Sequence, residues 1–294
     1  VAGTAFRQSW RWTVIGVVAA VAVLVVGGLT GRIHRADADD IDCSVARCVA
    51  FTFDDGPGPY TDRLLKILKD NDAKATFFLI GNKVAANPEG ARRIADAGME
   101  IGSHTWEHPN MTTIPREDIP AQFSRASDAI EAATGTRPKL VRTAGGLVDD
   151  VVLAEAGRQG LADINWDVIP FDWANDSNTA ATRYMLMTQI RPGSVVLLHD
   201  VYSSTVDLVE QFIPVLKAND YHLVTVTHLI GERAPGSSYG GRENGPPVAP
   251  GEGLRDIPPE DIPTLPATPS PPPMPNFPIT DIPNANSGGP NNGA

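Results

Sequence analysis

Cysteine is nearly missing from this sequence: Cys43 and Cys48 are the only two in 294 residues. Two thiols cannot close a zinc site by themselves, and no further ligand lies beside them. In an exported chain such a pair reads as one structural disulfide across a short loop. A basic stripe is missing as well. Residues 1–35 carry four Arg and no acid, residues 36–234 carry 18 basic and 29 acidic side chains, and residues 235–294 carry two and six. An acidic body at formal charge −11 excludes nucleic acid as the expected partner.

Charge is absent altogether from residues 12–31, between Arg11 and Arg32. As a helix this segment spans roughly 30 Å, the thickness of a hydrocarbon core. Val14–Val26 has no polar face, unlike an amphipathic soluble helix. Arg7 and Arg11 ahead of it favour an N-terminus inside and the remainder exported. Ala36-Asp37-Ala38 has the shape of a cleavage site, which would give a secreted protein. It lies beyond two arginines, so residues 1–35 are expected to stay as a single-pass anchor with an extracytoplasmic body. A sustained apolar period is what residues 234–294 lack. They hold 15 of the 26 prolines after residue 245 and three Asp-Ile-Pro triplets, and are expected to form a disordered Pro-rich tail.

The middle, residues 36–233, is where a folded domain is expected. The chain as a whole is 42% apolar and 20% charged, enough for a sizeable core. Strands are predicted at Val49–Phe53, Thr76–Ile80, Glu100–Ser103, Leu140–Arg142, Leu161–Asn165, Ser194–Leu198 and His222–Thr225. Helical patterns separate them at Tyr60–Asn71, Pro88–Ala97, Arg116–Ala133, Asp149–Gly160, Thr179–Ile190 and Thr205–Asn219. This alternation implies a parallel α/β sheet, open or closed into a barrel, with functional groups at the C-terminal strand ends.

Chemistry-bearing residues fall at those ends. The first strand runs into Asp54 and Asp55, and Gly56-Pro57 ends it. Consecutive strand residues point oppositely, so both carboxylates share one site only where the strand stops. After the third strand come His104 and His108, an i, i+4 pair with ligand spacing if the segment makes a helical turn. Two His and one Asp would hold zinc and leave a position for water. His-Thr-Trp-Glu-His also matches the H-x-x-E-H pattern of inverted zinc proteases. That reading requires a long helix, which Gly102 and Pro109 bracket too tightly, and leaves Asp54-Asp55 unexplained. His199 closes Ser-Val-Val-Leu-Leu-His at another strand end, where a general acid or a third ligand would stand.

Taken in order, Thr-Phe-Asp-Asp-Gly-Pro, Ser-His-Thr-Trp-Glu-His, Arg142, Asp172-Trp173 and Leu-Leu-His-Asp resemble the motifs of the polysaccharide deacetylase family, carbohydrate esterase family 4. The resemblance covers roughly Cys43–Gly231. It implies a distorted (β/α) barrel of about seven strands and hydrolysis of acetyl groups from an N-acetylated glycan polymer. By position it assigns Asp55, His104 and His108 to one divalent metal, zinc or alternatively cobalt. It makes Asp54 the general base and His199 the general acid, with Arg142 and Asp172 orienting them. Trp173 and Leu197 would line the sugar and acetyl pocket. The third motif departs from the family's Arg-Pro-Pro-Tyr-Gly, reading Arg142-Thr143-Ala144-Gly145-Gly146, so Gly145 stands where a tyrosine backbone N–H binds the oxyanion. Ile169 stands where the fourth motif often has Asp. An anchored member of the family meets peptidoglycan first, with chitooligosaccharide as a further substrate. The alternatives are a glycan-binding surface protein on a weakened barrel and an acetylxylan esterase.

Overall fold

A computed structural model describes residues 41–176, 178–240 and 253–255. The expected membrane span and most of the Pro-rich tail lie outside them. No described helix is long and apolar enough to cross a membrane. Eight strands form one sheet: β1 (Arg47–Gly56), β2 (Thr76–Leu79), β3 (Glu100–Ser103), β4 (Leu140–Val141), β5 (Ala162–Ile164), β6 (Val195–His199), β7 (Tyr221–Leu223) and β8 (Ser238–Tyr239). Every pairing is parallel, in the order β6-β1-β2-β3-β4-β5-β8, with β7 on the N-terminal part of β1. This is a curled α/β sheet, a distorted barrel in which β6 and β8 form no ladder with each other among the described residues.

Between the strands run α1 (Thr61–Asp70), α2 (Gly81–Ala86), α3 (Pro88–Asp96), α4 (Ile119–Thr134), α5 (Asp150–Arg158), α6 (Thr179–Gln189), α7 (Ser203–Ala218) and α8 (Val226–Ile230). Local chemistry sets their bounds. The Asn87 side chain accepts from Gly90 N at 3.1 Å ahead of Pro88, and Asp149 Oδ1 accepts from Val151 N and Val152 N at 3.0 and 2.8 Å. Gly135 ends α4 at φ 77°, a left-handed position where a Cβ is disfavoured. Amphipathic α1 buries Leu64, Leu65, Ile67 and Leu68 against the sheet. Central β1 is buried from Cys48 to Asp54, which fits its near-continuous apolar run.

All seven expected strands are present. The eighth lies past Arg233, where composition placed the end of the domain. Tyr239 is buried in the core, and β8 pairs with β5 through Asp163↔Ser238 and Ile164↔Tyr239. Cys43 and Cys48 form the expected disulfide at the entrance to β1.

Candidate active site

The two carboxylates of β1 face one site through a backbone irregularity. Asp54 pairs with Phe78 and Gly56 with Leu79, so Asp55 is skipped in the β2 register and adopts φ 70°. An extra residue of this kind breaks the two-residue alternation and re-aims a side chain. Asp55 Oδ1 is thereby brought 3.6 Å from His104 Nε2 and 3.7 Å from His108 Nε2. The expected helical turn is not how the histidines meet. Residues 104–108 are irregular, and Thr105 and His108 have φ 65° and 61°. Buried Gln122 on α4 holds this loop, its Oε1 accepting from Trp106 N at 3.1 Å and Glu107 N at 3.2 Å. The absence of a helix here also removes the basis of the inverted-protease reading.

The donor set fits a divalent cation. One donor atom from each of Asp55, His104 and His108 lies within 4.8 Å of the others. Asp55 Oδ1 is buried with no hydrogen-bond partner among the described residues. His104 Nδ1 lies 2.7 Å from the Arg142 carbonyl, which can only accept, so Nδ1 carries the proton and Nε2 presents a lone pair. Burial lowers the pKa of His104, against the opposing charges of Asp54 and Asp55, and favours this neutral form.

Asp54 and His199 are register partners on β1 and β6, which places a carboxylate and an imidazole at one level of the sheet. Each is held by a different charged partner. Arg142, fully buried at the end of β4, donates through its guanidinium to Asp54 Oδ1 at 2.8 Å and Thr52 Oγ1 at 2.7 Å. Its Nε and second terminal nitrogen donate to the carbonyls of Ile164 and Asn165. The fork places four hydrogen bonds around a buried cation, more than the three donors of an ammonium could make. His199 Nδ1 faces Asp172 Oδ1 at 3.0 Å, while Asp172 Oδ2 accepts from His199 N and Thr205 Oγ1, both at 2.8 Å. Burial alone would lower the His199 pKa. The Asp172 hydrogen bond and the charges of Asp172, Asp54 and Asp55 outweigh it and raise the value to about 9.

The remaining expected residues line different parts of the structure. Trp173 is 37% exposed, its ring 5.1 Å from that of His199. Leu197 is almost wholly enclosed on β6, opposite Thr52. Gly145 sits in a short 3₁₀ turn, Ala144–Gly146, at φ 63°, and its N–H donates to no group among the described residues. Gly146 at φ 68° is needed for close approach, since a Cβ there would lie 2.3 Å from Asn165 Oδ1.

Sequence reading missed Tyr202, Asp163 and Asp200. Tyr202 lies three residues beyond His199, with its ring 6.2 Å from the imidazole. Asp163 on β5 accepts from Ser238 Oγ at 2.7 Å, and burial raises its pKa to about 6. Asp200 accepts from the Thr61 hydroxyl, and burial raises it also to about 6. The direct neighbour of His199 and an acid inside a strand were available as signals for Asp200 and Asp163.

A family model described as polysaccharide deacetylase matches residues 42–164. The chitooligosaccharide deacetylase of Bradyrhizobium sp. (strain ANU 289) is 39% identical over 163 residues, 55% of this chain and 74% of that protein. The chain belongs to the polysaccharide deacetylase family. Another member, the peptidoglycan-N-acetylmuramic acid deacetylase PdaC of Bacillus subtilis (strain 168), is 37% identical over 185 residues, 62% of this chain. This chain spans only 38% of the length of PdaC. Among solved structures of the family, the T48 deacetylase with substrate superposes with a TM-score of 0.64 at 35% identity, covering 68% of this chain and 99% of that one. A family 4 pseudoenzyme from Bacillus anthracis gives 0.59 at 32% identity, covering 66% and 72%.

Proposed function

We propose that this protein removes acetyl groups from an N-acetylated cell-wall glycan, peptidoglycan foremost, by hydrolysis assisted by a divalent cation. One observation carries the reading. An arginine-held carboxylate, an aspartate-held imidazole and an Asp-His-His donor set meet at the C-terminal ends of β1, β3 and β6. Asp55, His104 and His108 would hold the cation. When bound it supplies a Lewis acid that polarises the acetyl carbonyl and the attacking water, with zinc or cobalt suited to these donors.

The chain's own groups account for the proton transfers. Arg142 fixes Asp54 Oδ1, leaving Oδ2 to accept a proton from water as its oxygen attacks the acetyl carbon. The carbonyl oxygen gains negative charge at this point, and the free N–H of Gly145 is suited to donate to it. His199, protonated at neutral pH, gives its proton to the sugar nitrogen as the carbon–nitrogen bond breaks. The products are acetate and the free amine.

PdaC, named for a peptidoglycan substrate, supports the choice of glycan. So does the uncharged segment 12–31, which would tether the domain on the outer membrane surface beside the wall. Acetate released by the purified protein from peptidoglycan, chitooligosaccharides and acetylxylan tests the reading. Release from peptidoglycan is expected, abolished by a chelator and restored by zinc or cobalt. Release from xylan alone would make the protein an acetylxylan esterase. Glycan binding without any acetate would assign it a binding role, on the fold that the Bacillus anthracis pseudoenzyme shares.

A further inference from the structure

One stretch of the Pro-rich tail is seated on the domain. Residues 253–255 share a single cleft with Met187, Thr188 and Arg191 at the end of α6. Each of the three makes a different contact. Arg191 Nη1 donates to the carbonyls of Thr188 at 3.0 Å and Ile190 at 2.8 Å, which holds its guanidinium in place. A Cβ at Gly253 would lie 2.1 Å from that nitrogen, so the close approach requires glycine. Leu254 is partly buried against the main apolar core. Arg255 exposes its side chain and is held by its backbone instead. Asn219 Oδ1 accepts from Arg255 N at 2.8 Å, and Asn219 Nδ2 donates to Arg255 O at 3.4 Å.

Asn219 is fully buried where α7 ends. Its Nδ2 also donates to Val215 O at 2.9 Å, which fixes the direction of the amide. Among the described residues, Oδ1 has no partner except Arg255 N. A buried acceptor is costly unless it is paired, so this groove is built to take a peptide main chain. We infer that residues 253–255 are a clasp, by which the domain binds its own tail on the face opposite the active site. Topology sets the face. α6 ends ahead of β6 and α7 ahead of β7, so both helix ends lie at the N-terminal ends of strands. Arg47, which opens β1, donates to Asn219 O at 3.4 Å at the same end. Asp54, Asp55 and His199 stand at the other end of β1 and β6. The seat takes a residue without a side chain, then an apolar one, then an N–H that proline lacks. Gly-Leu-Arg supplies these in order. The folded unit thus extends to residue 255, and the tail has a fixed point of attachment beyond β8.

Hydrogen exchange of the full chain tests this without substrate or metal. The amides of Leu254 and Arg255 should exchange about tenfold or more slower than those of an unstructured peptide. Gly253→Val should abolish that protection and lower the Tm by about 3–8 °C, and Leu254→Ser should do so in part. Both changes lie in the tail, so the barrel itself is left intact. Trypsin gives an independent readout, because cleavage after Arg255 requires its carbonyl to leave Asn219. That cut should be about tenfold faster in Gly253→Val than in the parent chain. Unprotected amides at 254 and 255 in the parent overturn the clasp, as does equal cleavage after Arg255 in parent and variant. Protection that appears only as protein concentration rises would place a second copy's tail in the groove, which overturns an intramolecular clasp as well.

Discussion

Asp172 uses both carboxylate oxygens, one on the His199 ring and one shared between His199 N and Thr205 Oγ1. Asp172→Asn keeps the shape but removes the charge that opposes burial. The His199 pKa should then fall from about 9, because burial is left facing only the more distant Asp54 and Asp55. The alkaline limb of the kcat profile should move toward neutrality, with a loss on the order of 10²-fold at pH 8. A variant whose limb stays in place would mean that another group donates the proton. The same linkage acts on stability. The raised His199 pKa contributes below the ordinary 6.5 and is lost as pH rises through about 9. Asp54, Asp55, His104 and His199 were legible in the sequence as chemistry-bearing groups at or next to strand ends, and His108 only through its spacing from His104 in the loop after β3. How Asp55 turns inward was not, because nothing in Asp-Asp-Gly-Pro reveals that the register against β2 skips one residue.

Element boundaries show the opposite limit. Long strands and helices were legible because their apolar periods run for several residues, as in Thr61–Asp70 and Ser203–Ala218. The six-residue α2 and five-residue α8 are too short to establish a period. β8 follows Pro235-Gly236 and has only two residues, so composition assigns it to the tail. Its side chains nevertheless reach the interior, where Ser238 meets Asp163. Asp163 binds its proton more tightly in the folded state, at about 6 against an ordinary 3.8. Its favourable contribution is therefore present below 3.8 and lost as pH rises through 6. Asp163→Asn should stabilise the domain by up to about 3 kcal/mol at pH 7 and have almost no effect near pH 4. Urea unfolding at both pH values measures this. Equal effects at the two would show that the carboxyl does not titrate in this window. Truncating the neighbouring anchor, Tyr239→Ala, should cost about 3 kcal/mol at either pH, as for other buried aromatics.

For the molecule as a whole, cation binding at Asp55, His104 and His108 would be linked to stability, because these residues, gathered from β1 and the loop after β3, are scattered when the chain unfolds. Zinc should raise the Tm of the wild-type protein and of Asp54→Asn by similar amounts, and that of His104→Ala far less. Equal loss of the zinc effect in both variants would overturn the division of Asp54 as base and His104 as ligand. The fold class, a parallel α/β sheet, was legible from the alternation of elements, whereas the strand order was not, since it depends on which distant segments meet. The position of β1 between β2 and β6, with β7 along its N-terminal part, has a consequence for synthesis. Asp54 lies beside His199 and Val49 beside Leu223, so on that side the strand that bears Asp54 and Asp55 waits for partners roughly 150 residues downstream. Contacts of such long separation close slowly. A chain emerging N-terminus first can pair β1 with β2 early but leaves the other edge of β1 open until almost all of the domain has emerged. Until then His199 does not stand beside Asp54, and the site stays incomplete while the chain is in transit.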